Sequence, residues 1–322
     1  MPLSDILSHD LFPYSPLFSG DLPSHAEKHT LVSALEDLLP NKPVFDFQIE
    51  EPMAIVVDFL ATFRQRNLSN FITFGDALKD FVTSCINFTP NFISVHVLLD
   101  SYPDFSLKSG EKRSQGIEPI HIVNMNLSTP VPKQLEKFWA STQNKVSLLQ
   151  IFRAFVASIQ MQIFVNIVIR SMIVDNEVIS AVNGYEEIPE LTNFIDEADP
   201  KVPVHLSYLV NSQNTSQSIV VSNDADSLAL MLRYFPELRN SGLMKLWRYY
   251  GRPSRLVSVD AISQELGLCI SRQIIKAHML TGEDVMCKIG TKLAAITHSP
   301  EIYLSNFGES AVLSDEDAAR CE

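Results

Sequence analysis

Residues 217–235 read QSIVVSNDADSLALMLRYF. Ile219, Val220 and Val221 have the length and β-branched content of a buried strand, and the apolar residues from Leu228 to Tyr234 recur at helical spacing. Asp224 and Asp226 stand in the seam, two like charges where a strand hands over to a helix. Two other stretches share the pattern. Met53 to Val57 ends in Asp58 and leads into a helical stretch, Phe59 to Arg66, and Ile93 to Leu99 ends in Asp100. Apolar strands alternating with helices predict an α/β fold, a mostly parallel central sheet flanked by helices. Ligands of such sheets gather in the crevice at the carboxyl ends of the strands. Asp58, Asp100, Asp224 and Asp226 are all expected there. Singly, each reads as the N-cap of the helix that follows it. Together they read as a site, because the strand ends of one sheet are neighbours in space.

The composition is that of a globular chain of 322 residues, 46% hydrophobic and 20% charged. With 38 acidic against 25 basic residues the formal charge is −13. That opposes a general electrostatic coat for nucleic acid and leaves room for a local basic groove. Cys85, Cys269, Cys287 and Cys321 lie far apart and form no C-x-x-C pair, which argues against a disulfide framework or a zinc site and for a reducing compartment. No secretory signal opens the sequence, so an intracellular place, nucleus or cytoplasm, is expected rather than secretion. The most hydrophobic region, Leu148 to Val174, carries Gln160, Gln162 and Asn166 and falls short of a membrane span. It reads as a core helix running on toward a core strand. Residues 1–50 read as a weakly ordered extension with one helix, His29 to Leu39. Residues 308–322 read as a short, truncated tail that holds a capped helix start at Ser314.

Further acids stand in Phe194-Ile195-Asp196-Glu197-Ala198-Asp199 and in Thr281-Gly282-Glu283-Asp284. In order, VVD (56–58), LLD (98–100), EAD (197–199), DAD (224–226) and TGED (281–284) followed by KIGTK (288–292) resemble the motifs of the structure-specific 5′ nucleases. These are the flap-endonuclease-like branch of the PIN-like metal-dependent nucleases. The closer likeness is to a group of metazoan PIN-like proteins, some associated with mobile elements. It is carried by SYPDFSLKSGEKRSQG (101–116), DEADPKVPVH (196–205), VVSNDADSLALML (220–232) and HMLTGEDVMCKIGTKLAA (278–295), and spans residues 51–307.

The resemblance implies a PIN-like fold with a C-terminal helical hairpin region and a nuclease that cleaves phosphodiesters of DNA or RNA. Seven acids, Asp58, Asp100, Glu197, Asp199, Asp224, Asp226 and Asp284, are implied as catalytic residues that hold two Mg2+ or Mn2+ ions. Hard carboxylate oxygens suit both ions, and a pair of them clamps the attacking and leaving oxygens of the displacement. Lys108, Lys112 and Arg113 are implied as a basic gateway. Gly290 and Lys292 are implied as the turn that holds a duplex phosphate. Arg252, Arg255, Arg272 and Lys276 extend a basic track, or are solvated surface charges.

The prolines depart from that pattern. Pro200 and Pro203 stand where the relatives run a helix from the paired acids, so the helix is expected to begin late and to displace Asp199. An alternative follows: a catalytically inactive PIN-like module that binds nucleic acid or serves as a scaffold. A phosphatase with an aspartyl nucleophile needs D-x-D after the first strand. Asp58-Phe59-Leu60 lacks it.

Overall fold

The computed structural model describes residues 18–19, 22–23, 29–39, 53–86, 92–102, 118–163, 171–180, 184–250 and 255–280. The chain divides into two compact units, one of Pro43–Met231 with Glu237–Asp260, the other of Met1–Lys42, Leu232–Pro236 and Ala261–Glu322. The second holds a two-stranded hairpin, β1 (Phe18–Ser19) and β2 (Leu22–Pro23), and a helix α1 (His29–Glu36) that buries Leu31, Val32 and Leu35.

The first unit is built on one sheet. Its strands are β3 (Met53–Asp58), β4 (Phe92–Leu98), β5 (Ser171–Val174), β6 (Glu177–Ser180), β7 (Gly184–Glu187), β8 (Gln217–Val221), β9 (Lys245–Tyr250) and β10 (Arg255–Ser258). Their spatial order is β10-β9-β8-β3-β4-β5-β6-β7. The ladders joining β9, β8, β3, β4 and β5 are parallel, as the alternation of strands and helices predicts. The edges are antiparallel: β6 pairs with β5 and β7, and β10 with β9. Only Asp175 and Asn176 separate β5 from β6, a connection that permits an antiparallel return and no crossover. From β3 the chain lays β4 and β5 to one side and later β8 and β9 to the other. The β3/β8 boundary is therefore the topological switch point.

The helices of this unit are α2 (Phe59–Arg64), α3 (Phe74–Ile86), α4 (Leu135–Ala140), α5 (Thr142–Ile163), α6 (Ala198–Gln213) and α7 (Ala225–Asn240) apart from Leu232–Pro236; α8 (Val259–Leu280) belongs, from Ala261 on, to the other unit. Every residue of β3 is buried, so both faces of the sheet are covered. Alternate residues serve opposite faces. Met53, Ile55 and Val57 join Val95 and Val97 in a core closed by Phe59 and Phe63 of α2, Phe81 of α3 and Phe152 of α5. Phe59 stacks on Phe152 with ring centroids 4.3 Å apart and meets Phe81 edge-on at 5.1 Å. Each such buried ring contributes about 1.5–3 kcal/mol. On the other face His96 of β4 meets His205 of α6, Nδ1 to Nδ1 at 2.9 Å, with both rings fully buried. Gly75 in α3 allows a close approach: its N–H donates to Leu127 O at 2.8 Å, and a Cβ there would lie 2.8 Å from that same oxygen.

The hydrophobic stretch at 148–174 resolves into the end of α5 and strand β5, as expected. Among the described residues no helix is long and apolar enough to cross a membrane. The expectation of a late start for α6 is corrected. The helix begins at Ala198 with both prolines inside it. Pro200 falls in the first turn, where an N–H has no intrahelical partner to lose. Pro203 forgoes one bond, that to the Asp199 carbonyl. Asp199 thus sits in the first helical turn. The hairpin region expected after residue 280 lies outside the described residues.

Candidate active site

Asp58 closes β3 and caps α2, its Oδ1 accepting from Ala61 N–H at 3.0 Å. Asp224 follows β8 and caps α7, its Oδ1 accepting from Asp226 N–H at 3.1 Å. The turn before α7 is held from below by Arg248 of β9, whose guanidinium donates to the carbonyls of Ser222 (3.1 Å) and Asp224 (2.8 Å). Asp100 also serves as a cap, though not of a helix that follows it. Its Oδ1 accepts from Ala198 N–H at 2.9 Å, at the start of α6 and 98 residues away in sequence. Glu197, the N-cap residue of α6, makes no capping hydrogen bond with its own side chain. The capping reading holds for Asp58 and Asp224, while Asp100 caps a helix that does not follow it and Asp226 lies within the first turn of α7. The caps fix where the carboxylates stand.

The carboxylates share one field. Burial pushes Asp199 up to about 9, with the charges of Asp58, Asp224, Asp226 and Asp100 adding to the shift. Burial likewise raises Asp58 to about 7; the Ala61 N–H opposes the rise, and Asp100 and Asp224 reinforce it. Asp100 is raised by burial and by Glu197, against the pull of the Ala198 N–H, the Lys201 ammonium and the Tyr102 hydroxyl, which lies 3.4 Å from its Oδ2. Asp199 Oδ1 is buried without a hydrogen-bond partner. Six of the seven expected acids are thus linked around the carboxyl ends of β3, β4 and β8 at the switch point. Asp284, the seventh, lies outside the described residues, as do Lys108, Lys112, Arg113, Gly290 and Lys292.

The donor set suits hard divalent cations, since every group is a carboxylate and one buried oxygen lacks any partner. The spacing is wider than coordination requires. Among the described residues no three His, Cys, Asp or Glu side chains stand close enough to hold one metal ion.

A second set of residues went unread in the sequence. Ser171-Met172-Ile173-Val174-Asp175 repeats the strand-then-aspartate pattern that singles out Asp58 and Asp100. Asp175 does different work. It takes a left-handed backbone (φ 50°) and pairs with Arg153 at 2.7 Å instead of joining the acid cluster. Arg153 also pairs with Glu177. Lys201, one turn into α6, buries its ammonium beside Asp175. The strand-then-aspartate pattern could have found Asp175. Nothing in one sequence pairs it with Lys201.

No protein-family model and no curated protein matches this chain. A search of solved structures finds a likeness to a bacteriophage T5 flap endonuclease, crystallised as a pseudo-enzyme–product complex with DNA and metal ions. The identity is 12%, over 83% of this chain and 85% of that one, with a TM-score of 0.36.

Proposed function

We propose that this chain is a divalent-metal-dependent nuclease that hydrolyses phosphodiester bonds of DNA or RNA. The observation that supports the reading is the Asp199 carboxyl, pushed up to about 9 by burial and by four neighbouring aspartates. Like charges crowded together and partly desolvated raise one another's pKa and cost stability unless cations stand among them. Asp58, Asp100, Glu197, Asp199, Asp224 and Asp226, with Asp284, would hold two Mg2+ or Mn2+ ions. When bound, those ions supply Lewis-acid stabilisation of the charge that develops as the phosphodiester is cleaved. The protein's own part is to fix the carboxylates: Asp58 and Asp224 by their helix caps, Asp100 by the α6 N-terminus, Asp199 by the first turn of α6. Burial and the neighbouring carboxylates favour the protonated form of Asp199, and a bound cation would favour its carboxylate. Lys108, Lys112, Arg113, Gly290 and Lys292 would meet the phosphate backbone.

The absence of three converging ligands among the described residues favours a second reading, a PIN-like module that binds nucleic acid or protein without cutting. Cleavage separates the two. Labelled single-stranded, duplex and 5′-flap DNA and RNA are incubated with the protein in Mn2+, in Mg2+ and in chelator, beside Asp224→Asn. Metal-dependent cutting that Asp224→Asn abolishes supports the nuclease. A folded protein that cuts nothing in either ion supports the module.

A further inference from the structure

The peptide of Leu99, the residue before Asp100, is fastened at both ends. Its N–H donates to Asp175 Oδ1 at 2.8 Å, and its carbonyl accepts from Lys201 Nζ at 2.6 Å. The next two residues cross to the same stretch of chain. Asp100 Oδ1 accepts from Ala198 N–H at 2.9 Å, and Ser101 N–H donates to Asp196 O at 2.5 Å. Lys201 Nζ stands 3.4 Å from Asp175 Oδ1, while Arg153 holds Asp175 Oδ2 at 2.7 Å.

Lys201 is only 4% exposed. A buried ammonium is costly unless it is paired and hydrogen-bonded, and an apolar side chain of similar volume often serves the fold as well. Packing of α6 already has Val202, Leu206 and Leu209, all fully buried. The lysine therefore calls for a reason beyond packing, and its carbonyl partner lies one residue from a site carboxylate.

We propose that Lys201 is a positioning residue: its ammonium, fastened between the Leu99 carbonyl and Asp175, holds Asp100 against the start of α6 and so sets where Asp100 stands relative to Asp199. This rests on the cation-binding reading of the acid cluster. Two roles for the ammonium predict opposite signs. Acting only as a charge, Lys201 repels a cation, and removing it tightens binding. Acting as a tether, it keeps the carboxylates together, and removing it loosens binding. Residues that orient metal ligands typically change affinity by about 10–100-fold when lost.

The test is Mn2+ binding to the full chain at pH 8, followed by the electron paramagnetic resonance signal of the free ion. Wild type is compared with Lys201→Met, which loses both charge and donor, and Lys201→Gln, which keeps a donor for the Leu99 carbonyl. Folding is checked by circular dichroism. The tether predicts that Lys201→Met binds Mn2+ about 10-fold more weakly or worse, with much of that loss recovered in Lys201→Gln. A lysine that serves the fold alone lowers Tm and leaves the affinity of the folded molecules unchanged. Unchanged or tighter binding in Lys201→Met overturns the proposal, as does equal loss in both variants. Should Lys201→Met fail to fold, Asp175→Asn carries the test: it keeps an acceptor for the Leu99 N–H and removes the carboxylate that fastens the ammonium. A similar loss there supports the tether, and unchanged affinity overturns it. A wild type that binds no Mn2+ overturns this proposal together with the cation site. A wild type that binds normally beside variants that do the same overturns the tether alone.

Discussion

Asp199 carries the largest consequence at the scale of single residues. Its folded pKa, about 9, lies above the ordinary carboxyl value, so the folded state holds this proton more tightly than the unfolded chain. The resulting stability is fully present below about pH 4 and drains away as pH rises toward 9. Asp58, at about 7, adds the same sign over a narrower window. Asp199→Asn removes the titration and gives the neighbouring carboxylates an amide donor. Urea unfolding should find the variant close to wild type at pH 5 and more stable at pH 8, by a few kcal/mol. A gap that fails to widen with pH would show that Asp199 does not ionise in competition with its neighbours.

Helices and strands explain how such a cluster is held. Asp58 and Asp224 were legible as caps because each lies at the junction of its own strand and helix. The tie from Asp100 to Ala198 was not, since it joins segments 98 residues apart. The prolines do not delay the start of α6, because the missing N–H of Pro200 costs nothing in a first turn and Pro203 forgoes a single bond. Beneath α6 the His96–His205 pair should be visible in acid. Burial lowers His96 well below the usual imidazole value and takes His205 to about 3. The unfolded chain therefore binds the extra protons. The pair's contribution is complete above about pH 6.5 and is lost as pH falls toward 3. Replacing both rings, His96→Leu with His205→Leu, should leave stability near wild type at pH 7 and shift acid unfolding to lower pH, followed by circular dichroism. In α3 the space at Gly75 predicts that Gly75→Ala costs about 1–3 kcal/mol, because the new methyl meets a backbone carbonyl that cannot step aside. Thermal unfolding reads it directly.

Across the whole molecule, the parallel core was legible in the alternation of strands and helices, and Asp58, Asp100 and Asp224 were legible at their strand ends; Asp175, at the end of β5, shows that a strand-terminal aspartate can instead pair with basic side chains. The antiparallel return of β6 on β5 was not legible, for it depends on a two-residue connection at Asp175–Asn176 that hydrophobic periodicity does not register. Nor were Lys201 and Arg153, whose partners come from other elements. The central claim is that carboxylates sharing one field are stabilised by a cation among them. The direct measurement is the melting temperature with and without Mn2+ at pH 5 and pH 8. At pH 5 Asp199 and Asp58 hold their protons, and an ion must displace them to bind. The account predicts a clear rise in Tm with Mn2+ at pH 8, a small one at pH 5, and loss of the pH 8 rise in Asp199→Asn. A wild-type Tm at pH 8 that millimolar Mn2+ does not move would contradict it.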